Sequence, residues 1–363
     1  MNRADIGVSK NVATGKRLKI GAAYGGLSNM LLLLNSIAHF LVDALCAATV
    51  FGRLNLSENP APLLFLYNTM AFSTQCLIGL AMDRAARLRP WIAGGAMLTV
   101  ALGFASPTPP LLRVCVIGLG NSAFHAAGGT MTLEHSQDRA ADLGAFVAPG
   151  AVGLTVGTLF PQTGFAFALL LTLCAFAVVP VSARTPADTR TLSREAPPLS
   201  IAIPVLLTAA VAVRAAGGSV VAFPWKRGTA LTLSLTLSVF AGKFAGGFLR
   251  DRIGAKKTAL LSIPAACLLT VFCSAWALPS LAGQFALNLT MPITLYLLYR
   301  AMPDAPGFAF GLTASALWPG SLAGRLIRFT GPARYGYIGV CFLFGLFAIL
   351  FSNQTLTTGR KRL

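Results

Sequence analysis

The sequence predicts an all-α integral membrane protein with twelve transmembrane helices in two pseudo-symmetric six-helix bundles. Three observations predict it. The 363 residues are 55% hydrophobic and only 11% charged. A soluble domain carries about 25% charged residues, so this chain could not cover a water-facing surface. Apolar runs of roughly 17–25 residues, the bilayer-spanning length, recur at 28–51, 62–82, 91–107, 110–132, 143–160, 163–183, 200–223, 229–249, 257–277, 280–299, 307–324 and 335–352. The longest polar interruption, "ARTPADTRTLSREAPPLS" at 183–200, falls between the sixth and seventh runs. It divides the chain into a bundle at 1–183, a linker at 184–199 and a bundle at 200–363, the organisation of a transporter built from two repeats.

The formal net charge of +18 does not point to nucleic acid. Lysine and arginine sit mostly in short segments between apolar runs, and no basic run is interleaved with aromatics that could stack on bases. Placing the N-terminus in the cytoplasm collects most of these residues on the cytoplasmic side. The outer loops keep Arg53, Lys226, Arg227, Arg325, Arg328 and Arg334. Positive residues favour the inside, so both termini are expected there, in a bacterial cytoplasmic (inner) membrane. The polar start through Lys19 leads into an apolar run too long for a signal-peptide core, which reads as a retained first span. All seven cysteines fall inside apolar runs, where they read as small packing residues.

Along the chain, the first span carries Asn35, His39 and Asp43 at a spacing of four, hence on one helix face. A polar stripe on such a helix must face something other than lipid. Of the eleven acidic residues, only Asp43 lies well inside a span. A charge there costs at least about 2.5–3.5 kcal/mol on insertion scales. After the second span comes "GLAMDRAARLRP" (79–90), and after the eighth "GGFLRDRIGAKK" (246–257). Both place small residues before an Asp-Arg pair at a membrane edge, where the aspartate can meet an arginine and a neighbouring helix N-terminus. The fourth span holds Asn121 and His125, with Arg113 near its outer end as an anchor and Glu134 and His135 at its inner end. In the fifth, Pro149-Gly150 with Gly153 and Gly157 offers a flat face for close packing. Arg214 in the seventh span lies at about the depth of Asp43, about 21 Å against about 22 Å from the cytoplasmic end at 1.5 Å per residue, and is its natural partner. Lys243 in the eighth is placed to snorkel. Gln75, Gln284, Asn288 and Thr290 are candidate cavity donors and acceptors, and Pro292 should bend the tenth helix.

On these motifs the chain resembles the major facilitator superfamily over nearly its whole length. Gly247, Asp251, Arg252, Gly254, Lys256 and Lys257 match that family's loop motif well. Gly79, Asp83, Arg84 and Arg87 match it in the first half, with Ala86 where a second glycine is usual. The resemblance implies that this motif holds the halves in one gating state. "AHFLVDALCAA", "GLGNSAFHAAGG" and the arginine of "VAVRAAGGSVVAF" resemble the fosmidomycin-resistance-type branch of drug exporters. The fifth helix resembles a degenerate antiporter motif.

The expected function is proton-coupled alternating access: export of a drug or small metabolite by antiport. The alternatives are uptake of a small organic anion, motivated by Arg113, Arg214 and Lys243 against one carboxylate, and a non-transporting sensor or assembly factor. Asp43, His39 and His125 are the expected proton-coupling residues, since an ordinary imidazole titrates near about 6.5. Asn35, Gln75, Asn121, Arg214 and Asn288 are the expected cavity residues. Expected partners are a small-molecule substrate, protons and the lipid bilayer, with the monomer as the working unit. No enzyme chemistry, cofactor or metal site is expected. The loops are short, no Gly-x-x-x-x-Gly-Lys-Ser/Thr occurs, and no histidine and carboxylate cluster stands out in the sequence.

Overall fold

The computed structural model describes residues 3–54, 59–136, 138–185, 201–327 and 329–359. Within them the chain forms twelve long helices: α1 (Gly25–Arg53, within a helix that begins at Arg3), α2 (Pro60–Arg84), α3 (Ala86–Ala105), α4 (Pro110–His135), α5 (Ala140–Leu159), α6 (Pro161–Arg184), α7 (Ala202–Val220), α8 (Gly228–Ile253), α9 (Ala255–Phe272), α10 (Ala277–Ala301), α11 (Pro306–Leu326) and α12 (Gly331–Thr358). Eleven of them are long and apolar enough to cross a membrane. The exception is α11, whose apolar residues are interspersed with Gly307, Gly311, Gly320, Gly324, Thr313, Ser315 and Ser321. Each expected span overlaps one of these helices. The expected linker lies outside the described residues except for Arg184 and Thr185.

Backbone polar groups in hydrocarbon must be satisfied inside their own segment, and helices do this. The interruptions are therefore informative. In α10 the helix stops at Asn288 and restarts at Met291, with Pro292 in the first turn of the second segment. Proline has no N–H to continue the ladder, so the expected bend is a break at the buried pair Leu289–Thr290.

Helices approach closely where side chains are absent. In the first half, Gly153 and Gly157 of α5 lie against the backbone of Phe40 and Ala44 on α1. In the second half, Gly320 and Gly324 of α11 lie against Ala212 and Ala216 on α7. The fifth helix of each bundle thus seats on the first through the same device. The same chemistry joins the bundles. Gly79 of α2 and Gly307 of α11 each face the other's carbonyl oxygen, and Gly311 faces Gln75. On the other flank, Gly247 of α8 faces Ala140 of α5, and Gly144 of α5 faces the carbonyls of Lys243 and Phe244. A Cβ at Gly79 or Gly247 would collide with backbone, which cannot move aside as a flexible side chain could.

Overpacking of a close seam typically costs about 1–3 kcal/mol. Gly247→Val should lower the thermal unfolding midpoint in detergent by several degrees, whereas Gly345→Val, where nothing lies within 4 Å, should leave it unchanged. Equal midpoints would show that the α5–α8 seam does not depend on the missing side chain.

Candidate functional site

Eight helices (α1, α2, α4, α5, α7, α8, α10 and α11) enclose a cavity of about 440 Å³ between the bundles. The other four contribute nothing to its lining. The walls are mostly apolar, from Val147, Leu154, Val211, Leu235, Val239, Leu295 and Leu317 among others. The polar lining includes His39, Asp43, Gln75, Asn121, His125, Thr155, Arg214, Thr236, Lys243, Thr294 and Thr313. This size and composition suit one small organic molecule.

The first bundle contributes a compact ionisable cluster. Asp43 Oδ2 lies 3.4 Å from His39 Nε2, and Asp43 Oδ1 lies 3.6 Å from His125 Nε2. The two Nε2 atoms are 2.9 Å apart. Asn121 Nδ2 donates to Asp43 Oδ1 at 3.3 Å. The other ring nitrogens settle the tautomers. His39 Nδ1 lies 2.7 Å from the carbonyl oxygen of Phe146, and His125 Nδ1 lies 2.9 Å from that of Asn121. A carbonyl can only accept, so both Nδ1 atoms carry hydrogen. In neutral rings both Nε2 atoms then present lone pairs, toward each other and toward a carboxylate. Three electron-rich groups at these distances repel unless a cation lies among them.

One proton answers this. Carried on either Nε2, it makes a hydrogen bond to the other ring and pairs with Asp43. The sequence anticipated His39 beside Asp43 from their spacing. It could not anticipate that His125, from another helix, would complete the cluster, since only the packing of α4 on α1 makes them neighbours.

The second bundle contributes cations. Contrary to the expectation from depth, Arg214 does not pair with Asp43. It donates through Nη1 to Thr290 Oγ1 at 3.0 Å and lies 2.6 Å through Nη2 from Met291 Sδ, at the break in α10. Lys243 lines the cavity instead of snorkelling to the membrane edge. Among the described residues neither Arg214 nor Lys243 joins an ion pair with a carboxylate. Gln75 and Asn121 line the cavity. Asn288 does not: its amide donates to the Gln284 carbonyl, and its Cβ packs near Gly242 of α8. Asn35 is fully buried two turns from Asp43 and lines a separate pocket of about 10 Å³ with Ser28, Thr132 and Asp142. Eight residues of helix span about 12 Å, enough to leave the cavity. Arg113 donates to the Ser106 carbonyl just after α3.

The side of the protein where α1 begins and α12 ends is closed. Asp83 at the end of α2 accepts from the backbone N–H groups of Gly307 and Phe308, at 2.6 and 2.8 Å. Asp251 near the end of α8 accepts from those of Ala140 and Ala141, at 3.0 and 2.9 Å. In each pair a carboxylate of one bundle caps the first turn of a helix of the other, where free N–H groups and the helix dipole favour negative charge. Arg84, Arg87, Arg252 and Lys256 are exposed. Arg84 reaches only the Leu80 carbonyl, at 3.3 Å. Gly254 has φ +87°, which explains glycine at the turn from α8 to α9.

Residues that sequence reasoning missed reinforce this closure. Asp138, held at φ +66°, accepts from the Tyr296 hydroxyl at 2.5 Å and from Arg300 at 3.4 Å. Its carbonyl accepts from Arg250, whose guanidinium lies 3.4 Å from the centre of the Tyr296 ring. Arg89 pairs with Glu134 within the first bundle. Above the closure, Phe310 of α11 lies with its ring 5.9 Å from that of Phe146 and seated on Gly129 of α4. Of this buried aromatic pair, Phe310 lines the cavity.

No protein-family model matches this chain, and no curated protein does. Solved structures do. The fold is similar to that of the E. coli fucose:proton symporter FucP, with TM-score 0.65 and 12% identity over 91% of this chain and 98% of that one. It is also similar to the major facilitator superfamily transporter FucP in the outward conformation, with TM-score 0.56 and 14% identity over 89% and 98% of the two chains. A bacterial homologue of the iron transporter ferroportin in the outward-facing state aligns with TM-score 0.55 and 14% identity over 92% and 99%. The chain has the major facilitator fold.

Losing a hydrogen bond to a charged group costs about 1.5–3 kcal/mol. Asp83→Ala and Asp251→Ala should each destabilise the detergent-solubilised protein by about that much. The two sites lie on separate seams, so the double variant should show the sum of the single effects. A double variant no worse than either single one would mean that the two contacts act as one unit.

Proposed function

We propose that the chain is a proton-coupled secondary active transporter working by alternating access, an exporter that exchanges protons for a small organic molecule. The observation that carries this reading is the placement of the His39–Asp43–His125 cluster on the wall of a cavity shared by both bundles. A proton held there changes the charge of the site where substrate would lie. Substrate and proton then compete for one cavity, which is the requirement for antiport.

The closed side supplies the other half of the cycle. While Asp83 and Asp251 cap helices of the opposite bundle, the cluster is sealed from the side of the termini. We read that side as cytoplasmic, in a bacterial inner membrane, because the basic residues concentrate there. Protons then reach the cluster from outside, and rupture of the two caps opens it inward. The bundles we assign are 1–183 and 200–363, joined by 184–199, and the monomer is the working unit. The sequence motifs place the exporter near the fosmidomycin-resistance-type branch.

Arg214 and Lys243 favour a second reading, uptake of an organic anion together with protons. Two cations that join no ion pair with a carboxylate among the described residues would hold an anionic group.

Proteoliposomes with an imposed pH gradient separate the two, because export by antiport and uptake by symport move protons in opposite directions relative to substrate. A panel of toxic compounds, tested first for growth protection, supplies the substrate. Asp43→Asn should reduce pH-driven flux at least tenfold. Undiminished pH-driven flux in that variant would refute the coupling role. Arg214→Gln should raise the half-saturating concentration of anionic compounds and leave that of neutral ones unchanged.

A further inference from the structure

We propose that His39, His125 and Asp43 form a three-ligand binding site for one divalent transition-metal ion of the zinc or cobalt type, reached from the cavity. Two imidazole nitrogens and a carboxylate oxygen are a ligand set such ions favour, and three protein ligands leave a position for a further one. The donor atoms lie within 4.8 Å of one another. The two Nε2 atoms are 2.9 Å apart, and they face different oxygens of Asp43, His39 at 3.4 Å from Oδ2 and His125 at 3.6 Å from Oδ1. Ligands on a tetrahedral ion with bonds of about 2.0–2.1 Å stand about 3.3 Å apart. Each histidine therefore has a carboxylate oxygen at about the separation that a shared ion requires.

The surroundings fit a metal as well. A ligating histidine needs its other nitrogen held by an acceptor, and both rings have one, the carbonyls of Phe146 and Asn121. The carboxylate is oriented by the Asn121 amide. Two backbone carbonyls thus aim both Nε2 lone pairs into the same space as the carboxylate. No side chain fills the approach from α5. Position 150 is glycine, and a Cβ there would collide with His39 Nε2 and Asp43 Oδ2. Lys243 and Arg214 face the same cavity from α8 and α7. Their charge opposes a bare dication and favours an ion whose remaining ligand is an anion supplied from the cavity.

Metal binding is a separate property of the residues used for proton coupling above, and its test does not depend on transport. The purified, chelator-treated protein in detergent is titrated with Co²⁺ and followed by visible absorption, then dialysed against Zn²⁺ with metal content measured. The expected result is one saturable ion per chain. His39→Gln and His125→Gln should weaken affinity at least tenfold, and His135→Gln, outside the cluster, should not. Gly150→Ala keeps all three ligands and crowds the site with one methyl group, so it too should weaken affinity, with folding checked by the thermal unfolding midpoint. Absence of saturable binding, or binding unchanged in the His39→Gln/His125→Gln double variant, would overturn the inference. Saturable binding alongside undiminished flux in Asp43→Asn would leave it standing while removing the coupling role.

Discussion

A carboxylate of one bundle on the first turn of a helix from the other is the interaction on which the rest of this structure depends. It occurs twice, at Asp83 and at Asp251. Each cap satisfies backbone N–H groups that would otherwise be unpaired, and each does so across the boundary between the bundles. The glycine seams beneath them bring the backbones close enough for this. Together they close one side of the protein, leaving a cavity between the bundles that Phe310 helps to line.

The cavity is divided chemically as well as structurally. The first bundle presents the cluster of His39, Asp43 and His125, which requires a cation at its centre because both rings are held in the same tautomer. The second presents Arg214 and Lys243, whose charge is not cancelled by a carboxylate partner among the described residues. A small molecule between them would touch both. Loading of the first bundle with a proton or a metal ion changes the field felt by anything held by the second. This offers a physical route for coupling, with no requirement that distant parts of the chain communicate.

The closure also explains why an Asp-Arg motif recurs in each half. The aspartate needs the open first turn of a partner helix, and the glycine four residues earlier lets that helix come near. The arginines that follow do different work. Arg84, Arg87 and Arg252 are exposed at the membrane edge, whereas Arg250, before the motif, ties Asp138 and Tyr296 into the same closure. Recurrence of the motif in the two halves picked out the aspartates. The Asp138–Tyr296–Arg300 group joins two distant stretches of the chain, since Tyr296 and Arg300 stand one turn apart on α10.

By itself the sequence determined the all-α membrane architecture, the number of helices and the presence of one carboxylate, Asp43, well inside a span. These follow from local properties: run length, hydropathy, and the cost of a charge in hydrocarbon. Tertiary structure alone decided which polar groups share a site. Asn35 and Asp43 lie on one helix face, yet one is in a separate pocket and the other in the cavity, because eight residues of helix set them about 12 Å apart. Depth along a helix made Arg214 the partner of Asp43, but the break in α10 offers it Thr290 and Met291 instead. His125 joined His39 because glycines and small residues let three helices converge. Spacing records which face of a helix a residue occupies, and packing chooses what that face meets.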